Sequence, residues 1–504
     1  SQPFDIYASD IGQMMASATG ETDVLVFHGS TDAPTVDVAE PELALGLLDD
    51  LAYGAFSPGY LNLATDDYSL QVQNAEGTAA VAQFAAPLAS LGLEDSALVV
   101  VASGFLDPTA NSDGPAFGLF AALPEGGALV ELPAEDLSTS YVQVIHNAAD
   151  LGAQTVDVWQ NDQLLIDDFA FRTASPFVEL TAGIEFDIVV QPTGSTDTTG
   201  ALFRKAFTLA GNSDYILVAN GIVSGSGYSP SQPFDIYAYA GAKMEAEMPG
   251  NTDILGFHGS TDAPAVDVVE PNLLLQYTNN FAYGTFTDGY TGFQTMDYSL
   301  QVQDSTGRSA VAQFRSALES LGLEDSALVV VASGFLDPSV NSDGPAFGLY
   351  AALPSGGALV ELPQEAVSTS QVQIIHNSPD AVADTVDVWL NDQLLIDDFA
   401  FRNATPFTEL TAGVLFDVSV QPPNSTDTVG AVHKETGMVA AGQKYVVIAS
   451  GLVSTSGYDP HRDFGFDVFE MGRDTAMEAG EIDVLVYHGA TDAPPVDAVE
   501  PGAL

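Results

Sequence analysis

Residues 24–34 read VLVFHGSTDAP, an apolar run that ends in a histidine and is followed by small residues and an Asp-Ala-Pro sequence. The octapeptide FHGSTDAP of residues 27–34 recurs unchanged at residues 257–264, and as YHGATDAP at residues 487–494. The copies are therefore 230 residues apart. Self-similarity at a fixed spacing is typical of tandem domains, so this repeat decides the fold before any single element is considered.

Each period contains a weaker repeat of half its length. His28 and Asp32 align with His146 and Asp150, and both pairs are followed by a Val-Asp-Val sequence. The repeating unit is thus about 115 residues long, an ordinary size for one domain, and two types, A and B, alternate. We predict a partial B unit, four full units named A1, B1, A2 and B2, and a partial A unit, at residues 1–21, 22–138, 139–251, 252–368, 369–481 and 482–504.

Short apolar or alternating runs fill each unit, such as ALVVVA at residues 97–102 and YSLQVQ at residues 68–73. Turn-forming clusters such as NAEG at residues 74–77 separate them. About seven such runs in a unit predict an all-β fold, a tandem array of immunoglobulin-like β-sandwich domains. Residues 82–93 are an exception whose pattern predicts a short helical turn or crossover, since Pro87 excludes a long helix.

The chain carries 69 acidic and 11 basic residues, a formal net charge of −58. Nucleic acid is excluded as a general partner, because phosphate binding requires basic stripes. Since 46% of the residues are hydrophobic, we expect the charge on the surface of folded domains, where salt or bound cations relieve its self-repulsion. We therefore expect a saline, extracellular or cell-surface setting, with calcium or another cation as the candidate cofactor.

The sequence contains no cysteine, which excludes disulfides, thiolate metal sites and cysteine nucleophiles. No apolar run is long enough to cross a bilayer, so we expect no membrane insertion in this region. Common enzyme motifs are missing as well, among them the Gly-x-Ser-x-Gly elbow, the phosphate-binding loop with its lysine, and His-Glu-x-x-His. The chain is therefore not expected to be an enzyme.

The order of strand, histidine, small residues, Asp-Ala-Pro and Val-Asp-Val at residues 24–38 resembles the bacterial and archaeal domain of unknown function 4397. In B units the resemblance continues through LLIDDF at residues 164–169 and SPFVELTAG at residues 175–183, and it covers nearly the whole chain. B units depart from the pattern at residues 148–154, where the proline is missing and the loop is longer. The resemblance implies a secreted, β-rich tandem module with a surface location and no established chemistry.

Five of the seven histidines stand at equivalent places, each with an aspartate four residues later. One hypothesis pairs imidazole and carboxylate as metal ligands or as an acid–base dyad. The alternative, which we favour, is a structural corner in which the aspartate binds backbone amides of the Asp-Ala-Pro turn, since a fold-determining corner recurs in every domain. These residues are His28, Asp32, His146, Asp150, His258, Asp262, His376, Asp380, His488 and Asp492.

Both full A units also contain an Asn-x-Asp-Gly sequence, which resembles the middle of a calcium-binding loop with oxygen ligands. However, the first ligand position of such a loop falls on Thr109 or Ser339, and no glutamate follows at the required spacing. An Asx-rich turn between two strands is the competing explanation, and we favour it. The candidate cation ligands are Asp107, Asn111, Asp113, Asp337, Asn341 and Asp343.

Near-identical domains in tandem give each domain the same neighbours, which produces an extended rod or a polymer of regular pitch. Our leading hypothesis is a self-associating structural protein of an extracellular filament, cell-surface fibre or stalk. The alternatives are the spacer of a surface adhesin and a repeated hydrolase that uses the His-Asp corners.

The partial B unit at the start of the sequence would supply an unpaired strand to a neighbour. Phe4, Ile6 and Tyr7 are the candidate residues for this strand exchange, because an open strand edge recruits another strand through main-chain hydrogen bonds. We interpret the chain as a segment of a longer repetitive protein, or as a processed subunit whose partial ends are completed by neighbours.

Overall fold

A computed structural model describes residues 2–498. Strands dominate this part of the chain, and its helical elements are five short 3₁₀ helices, at Pro41–Leu43, Thr109–Asn111, Leu151–Ala153, Pro338–Val340 and Ala381–Ala383. The all-β fold predicted from the alternating runs is confirmed. Across the same residues, no helix combines the length and the apolarity that crossing a membrane requires.

The first period supplies the strands of A1 and B1. Those of A1 are β1 (Glu21–His28), β2 (Val36–Glu40), β3 (Leu45–Leu51), β4 (Leu61–Ala64), β5 (Asp67–Asn74), β6 (Ala80–Pro87), β7 (Ala97–Ser103), β8 (Gly118–Ala122), β9 (Val130–Glu131) and β10 (Ala134–Glu135). Those of B1 are β11 (Thr139–His146), β12 (Thr155–Gln160), β13 (Gln163–Ala170), β14 (Thr173–Ala174), β15 (Val178–Thr181), β16 (Glu185–Pro192), β17 (Phe203–Thr208), β18 (Tyr215–Asn220) and β19 (Asp235–Ala240).

The second period repeats this order. The strands of A2 are β20 (Asn251–His258), β21 (Val266–Glu270), β22 (Leu275–Phe281), β23 (Thr291–Gln294), β24 (Asp297–Asp304), β25 (Ala310–Ala317), β26 (Ala327–Ser333), β27 (Gly348–Ala352), β28 (Gly357–Ala358), β29 (Val360–Leu362) and β30 (Gln364–Glu365). Those of B2 are β31 (Thr369–His376), β32 (Thr385–Leu390), β33 (Gln393–Ala400), β34 (Thr408–Thr411), β35 (Phe416–Gln421), β36 (His433–Gly437), β37 (Lys444–Ser450) and β38 (Gly465–Phe469).

The described chain divides into two compact units. The first comprises residues 2–246 and 326–360, so it contains A1, B1 and the part of A2 with strands β26 to β28. The second comprises residues 247–325 and 361–498, so it contains the rest of A2 together with B2.

A1 packs two five-stranded sheets, with strand orders β4-β1-β7-β8-β9 and β10-β6-β5-β2-β3. Its central strands β1 and β7 run parallel, with Val24 opposite Leu98 and His28 opposite Ala102. Alternate side chains of these strands, such as Val24 and Leu98, are buried between the sheets. This pairing places His28 at the end of a central strand, beside the loop that follows β7.

B1 has one sheet in which β11 lies between β18 and the short strands β14 and β15, and a second sheet of order β13-β12-β16-β17. Strands β11 and β18 are parallel, with His146 opposite Ala219. A bulge interrupts the pairing of β12 with β13 between Val156 and Trp159. Phe186 and Ile188 of β16 are buried in the core between the sheets.

The second unit repeats these patterns. In A2, β21 pairs with β22 and β24, and β24 with β25; in B2 the sheet orders are β34-β31-β37-β38 and β33-β32-β35-β36. The parallel pair places His376 opposite Ala449, and the bulge recurs between Val386 and Trp389. The tandem array of β-sandwich domains expected from the sequence is therefore confirmed.

Of the residues 82–93 where a helical turn or crossover is expected, only those from Pro87 onwards form a turn. Residues up to Pro87 belong to strand β6, which buries Phe84 and Ala86. A hydrogen-bonded turn follows, in which the Leu91 amide donates to the Pro87 carbonyl at 2.9 Å. The alternating burial of residues 82–86 favours a strand, and Pro87 at its last position is tolerated there.

Candidate functional site

The histidine rings of the repeated corner each bind a backbone carbonyl across the following loop. The distance from Nε2 to the carbonyl oxygen is 2.7–3.1 Å for the pairs His28 with Pro34, His146 with Ala153, His258 with Pro264, His376 with Ala383 and His488 with Pro494. A carbonyl only accepts hydrogen bonds, so Nε2 carries the proton in each ring. Nε2 is therefore committed to the fold and does not serve as a base or a metal ligand.

Burial favours the neutral form of the rings of His146, His258 and His376. It lowers the pKa of His146 to about 4, against an opposing effect of the hydrogen bond to Ala153. Burial also lowers the pKa of His258 and of His376. In A units the second ring nitrogen is buried as well, since Nδ1 of His28 and of His258 has no hydrogen-bond partner among the described residues. The rings of His146, His258 and His376 therefore behave as neutral core groups at pH 7.

The corner aspartate of A1 caps a distant loop and not its own turn. Its carboxylate accepts hydrogen bonds from the amides of Leu106 and Asp107, at 2.9 and 3.0 Å, and from Nδ2 of Asn111 at 3.0 Å. Hydrogen bonds to these amides lower the pKa of Asp32, although burial alone would raise it. Asp32 thus ties the loop after β1 to the loop after β7.

The corner aspartate of B1 is more heavily bonded. Asp150 is fully buried and accepts hydrogen bonds from the amides of Gly152, Val223 and Ser224, the Ser224 hydroxyl and the Tyr228 hydroxyl, at 2.7–2.9 Å. Burial alone would raise the pKa of Asp150, but the hydrogen bonds together outweigh burial and the net pKa is lowered. The carboxylate therefore stays charged at neutral pH. In B2, Asp380 accepts equivalent bonds from Val382, Ser454 and Tyr458.

The candidate cation ligands of A1 are engaged with protein donors. Asp107 accepts from the Thr109 hydroxyl at 2.6 Å and from the Ala110 amide at 3.1 Å, while the Asn111 amide group donates to Asp32. Asp113 is exposed and has a positive φ of 53°. The loop is an Asx turn that closes on the corner, and calcium binding there stays a prediction.

The equivalent residues of A2 also form a turn, but one of them reaches into B1. Asp337 accepts from the Ser339 amide at 3.0 Å. Oδ1 of the buried Asn341 accepts from the Ser229 amide of B1 at 2.9 Å. Asp343 is exposed and, like Asp113, has a positive φ. Asn341 therefore contributes to the contact between two domains.

The aspartates of the four Val-Asp-Val strands have a structural role that the sequence did not indicate. Each accepts the amide of the bulge residue in the neighbouring strand, at 2.7–3.1 Å, in the pairs Asp37 with Asp50, Asp157 with Asp168, Asp267 with Asn280 and Asp387 with Asp398. All four bulge residues have positive φ, where aspartate and asparagine are favoured. This bond fixes the bulge in every domain.

Three of these four aspartates lie within acidic clusters of the described chain, formed by Asp37, Asp49 and Asp50, by Asp157, Asp167 and Asp168, and by Asp387, Asp397 and Asp398. In B1 both oxygens of Asp157 are already used, because Oδ2 accepts from the Ser195 amide and hydroxyl at 2.8 and 2.7 Å. Ser425 and Asp387 repeat this arrangement in B2. The central carboxylate is thus satisfied by protein donors.

The residues proposed for strand exchange lie outside regular structure. Phe4, Ile6 and Tyr7 are 96%, 82% and 39% exposed, and no strand is present there. In B1 the equivalents Phe234 and Ile236 are 8% and 2% exposed, because β19 pairs along the whole of β18. The first segment thus carries the sequence of a core strand without its partner.

The contact between an A and a B domain is the same in both periods. In the first, Nε2 of Gln71 and of Gln73 donate to the carbonyls of Ala182 and Gly183 at 3.1 and 2.7 Å. Two backbone bonds join Glu185 to Gly77 and Gly211 to Pro41. The second period repeats all four contacts, from Gln301 to Ala412, Gln303 to Gly413, Leu415 to Gly307 and Ala441 to Pro271. We call this contact the A-to-B joint.

The contact between B1 and residues 326–360 of A2 is different, and we call it the B-to-A joint. Strand β14 pairs antiparallel with β28, and the Leu359 amide donates to the Arg172 carbonyl at 2.8 Å. The Arg172 side chain donates to Ser333, Tyr350 and Ala346 at 2.7–3.3 Å. One sheet of B1 therefore continues into A2 through β28, and the hydrogen bonds of Arg172 stabilise this contact.

An apolar cluster completes the B-to-A joint. Phe335 of A2 is completely buried against Ala149, Ile222, Phe171 and Tyr228 of B1. The rings of Phe335 and Tyr228 lie 5.6 Å apart. Burial of one large aromatic side chain in a fitted pocket is typical of the residues that dominate the energy of an interface.

The family model described as "Domain of unknown function (DUF4397)" matches residues 140–269 and 370–499, which together make up just over half of the chain. The chain belongs to the DUF4397 family. Each DUF4397 match begins at the first strand of a B unit and extends into the opening corner of the following A unit. No curated protein matches the chain.

Two solved structures with a likeness to this DUF4397 chain have low scores. One, titled "Alpha-glucan binding by a streptococcal virulence factor", is 9% identical and covers 38% of this chain and 92% of its own, with a TM-score of 0.13. The other, titled "The Bacillus anthracis TIE protein", is 8% identical and covers 88% of this chain and 75% of its own, with a TM-score of 0.13. With these scores, neither carries an argument about this chain.

Both faces of the B-to-A joint have counterparts elsewhere in the DUF4397 chain. Residues 489–491 contact B2 beside its face, where Asn377 donates to Gly489 and Arg462 donates to Thr491. On B2, Arg402 is exposed and its guanidinium carbon lies 4.8 Å from the Phe401 ring centre. On A1, Leu129 is 48% exposed, whereas the equivalent Leu359 in the joint is 8% exposed. Arg402 and Leu129 are equivalent to the joint residues Arg172 and Leu359, whereas A1 has Phe120 in place of Tyr350 and therefore lacks its hydroxyl.

Proposed function

We propose that this chain is a structural repeat protein that builds an extracellular filament, cell-surface fibre or stalk. Its two kinds of joint alternate along the array, and the B-to-A joint continues the array from one A–B pair to the next, in the same chain or in another copy. The observation that carries the proposal is the B-to-A joint itself, in which β14 pairs with β28 and Arg172 donates to Ser333 and Tyr350.

The identical A-to-B joints support this proposal. The same four hydrogen bonds form in both periods, so the angle and spacing within each pair are fixed by the same local contacts. A structure assembled from identical contacts grows with constant geometry, which is what a rod or filament needs.

The composition supports an extracellular, saline setting. A net charge of −58 makes copies of the chain repel one another in dilute buffer. At molar salt the Debye length falls to about 3 Å, so the repulsion is screened while the apolar and hydrogen-bonded contacts of the joint persist. Assembly should therefore be promoted by salt.

Sedimentation velocity of the whole chain in molar salt tests the proposal. We expect species that grow with protein concentration, and we expect Arg402→Ala to shift them towards single chains. Arg204→Ala is the matched control, because it also removes one exposed positive charge, from a surface ion pair with Asp187. A wild-type chain that stays single at every concentration would contradict the proposal, and so would equal growth of all three proteins.

Strand exchange is the finer part of the proposal. The segment with Phe4, Ile6 and Tyr7 would complete a B-type sandwich by pairing with the strand equivalent to β18, as Asp235–Ala240 does in B1. Replacing Phe4 and Ile6 by aspartate should abolish this contribution, because both equivalents are buried core residues. If a variant without residues 1–20 assembles as well as the full chain, exchange through this segment is wrong.

A further inference from the structure

B2 contains an apolar cavity of about 530 Å³ between its two sheets. Val372, Val388, Phe416, Tyr445 and Phe466 are among the residues that line it. The cavity between the sheets of A1 is much smaller, about 80 Å³. Sites for small molecules are mostly apolar and have volumes of roughly 300–1,000 Å³. The cavity of B2 thus has room for a ligand.

B1 fills the equivalent space with larger side chains. Phe207 stacks on Phe186 there, with ring centres 6.3 Å apart, and Phe186 is only 1% exposed. B2 has Gly437 in place of Phe207, and Phe416, the equivalent of Phe186, is only half-buried. Phe416 therefore lacks the aromatic partner that Phe186 has on the neighbouring strand of its sheet.

Further substitutions act in the same direction. The buried Leu209 and Leu217 of B1 become Val439 and Val447 in B2. Phe466, which replaces the smaller Ile236, lines the cavity and recovers only part of the volume. These substitutions distinguish the space between the sheets of B2 from that of B1.

B1 also has an ion pair between its two sheets that B2 lacks. Nζ of Lys205 donates to the Asp235 carboxylate and to the Ile236 carbonyl, both at 2.8 Å, and so joins β17 of one sheet to β19 of the other. B2 carries Glu435 in place of Lys205 and Gly465 in place of Asp235, so this ion pair cannot form. At this side of B2, β36 and β38 are not joined by this ion pair; His433 packs on Phe466 there, with ring centres 5.1 Å apart.

The negative charge at the rim of the B2 cavity indicates which charge its ligand would carry. Glu435 and Glu470 are exposed and line the cavity, and neither lysine nor arginine is among its lining residues. Two carboxylates at the rim attract an ammonium group and repel a carboxylate or phosphate. We propose that B2 binds an apolar primary amine, with its body between the sheets and its ammonium group beside Glu435 and Glu470.

Calorimetric titration of the whole chain in molar salt tests this, because salt suppresses nonspecific attraction of a cation to an acidic surface. The probes are decylamine, decan-1-ol and decanoate, which share one alkyl chain and differ in charge. We expect saturable binding of one decylamine, weaker binding of decan-1-ol, and decanoate weaker than decylamine by about tenfold or more. Absence of saturable decylamine binding, or tighter binding of decanoate, would overturn the proposal.

Variants that fill the cavity locate the site. Gly437→Phe introduces the side chain that B1 has, although a Cβ there meets the Phe416 ring at 3.1 Å and the ring must shift. The milder double variant Val439→Leu with Val447→Leu uses two further residues of B1 and keeps the test valid if the first variant does not fold. Both should lose decylamine binding. Undiminished binding to the double variant would place the amine elsewhere on the acidic surface and overturn the proposal.

Glu435→Lys tests the role of the head group. Decylamine binding should fall to the level of decan-1-ol, while decan-1-ol binding should stay unchanged because the cavity walls are untouched. An unchanged preference for the amine would overturn the assignment of the ammonium position. Arg402→Ala serves as a separate control, since it alters the joint face of B2 and should leave all three probes unaffected. Failure of the ligand proposal is therefore distinguishable from failure of the proposed assembly.

Discussion

The guanidinium carbon of Arg172 lies 3.9 Å from the centre of the Tyr350 ring, and the same side chain donates a hydrogen bond to the Tyr350 hydroxyl at 2.7 Å. The two residues belong to different domains, so stacking and hydrogen bonding act together across the B-to-A joint. Lysine has a compact ammonium group and no planar guanidinium, so it cannot stack on the ring and bind the hydroxyl in the same way.

We expect Arg172→Ala to destabilise B1 by roughly 2–4 kcal/mol, because it leaves the carbonyls of Ser333 and Ala346 without their donor. Arg172→Lys should retain less than half of the stability that Arg172→Ala loses. The measurement is urea unfolding followed by the fluorescence of Trp159 in a Trp389→Phe background, since these are the only two tryptophans. Arg204→Ala, at an exposed ion pair, should cost at most about 1 kcal/mol. An equal loss in both variants would contradict the role of Arg172.

The A-to-B joint predicts a matched pair of effects. Gln73→Ala removes the bond to Gly183 and leaves a buried carbonyl unpaired, so B1 should lose about 1–3 kcal/mol. Gln303→Ala should do the same to B2 through Gly413. Unfolding should therefore shift for Trp159 in the first variant and for Trp389 in the second. If either variant shifted both signals equally, the effect would not arise at the joint.

The corner aspartate of B1 should be essential for stability. Asp150→Ala leaves the amides of Val223 and Ser224 without an acceptor and should cost about 3 kcal/mol or more. Asp150→Asn keeps one acceptor oxygen and should cost less. Asp162→Ala, which removes an exposed carboxylate bound to Thr198, is the surface control. Wild-type stability of Asp150→Ala would show that the corner is not structural.

His146 predicts a specific loss of stability in mild acid. Its pKa is lowered to about 4 in the folded chain by burial, against an ordinary value of about 6.5 in the unfolded chain. The unfolded chain therefore binds more protons below pH 6.5, and stability that is complete above this pH is lost as the pH falls towards 4. The loss at pH 5 should be about 2 kcal/mol from this group alone.

His146→Gln is the variant that isolates this effect, because its amide group can still donate to the Ala153 carbonyl without titrating. Unfolding reported by Trp159 at pH 7.5 and pH 5 should depend less on pH in this variant than in the wild type. Equal dependence in both proteins would mean that other groups dominate the acid sensitivity.

Much of the fold follows from local patterns. The 230-residue period, the alternating runs and the turn clusters are enough to predict tandem β-sandwiches, because a strand with one buried face must alternate. The partners of Asp32 were not predictable, since Leu106 and Asp107 are distant in sequence and meet it only after β1 and β7 pair. At residues 82–87 the strand was not predicted, because small apolar residues fit both a helical turn and a strand of the core.

The joints and the cavity need three-dimensional information. Arg172 is one of few basic residues, yet its partners lie more than 160 residues away along the chain. The exchange of Phe207 for Gly437 is visible in the sequence, but it gains meaning only when Phe186 is seen to pack on Phe207. A position-by-position comparison of the B1 and B2 sequences would have drawn attention to the arginine of the joint and to the residues of the cavity.

Electron microscopy of the whole chain in molar salt tests the central claim, the continuation of the array through the B-to-A joint. We predict copies joined end to end, with B2 of one copy on A1 of the next and with density at that contact that matches the joint between B1 and β26 to β28. Arg402→Ala should reduce the length of these assemblies. Copies that remain single, or that associate side by side, would contradict the account.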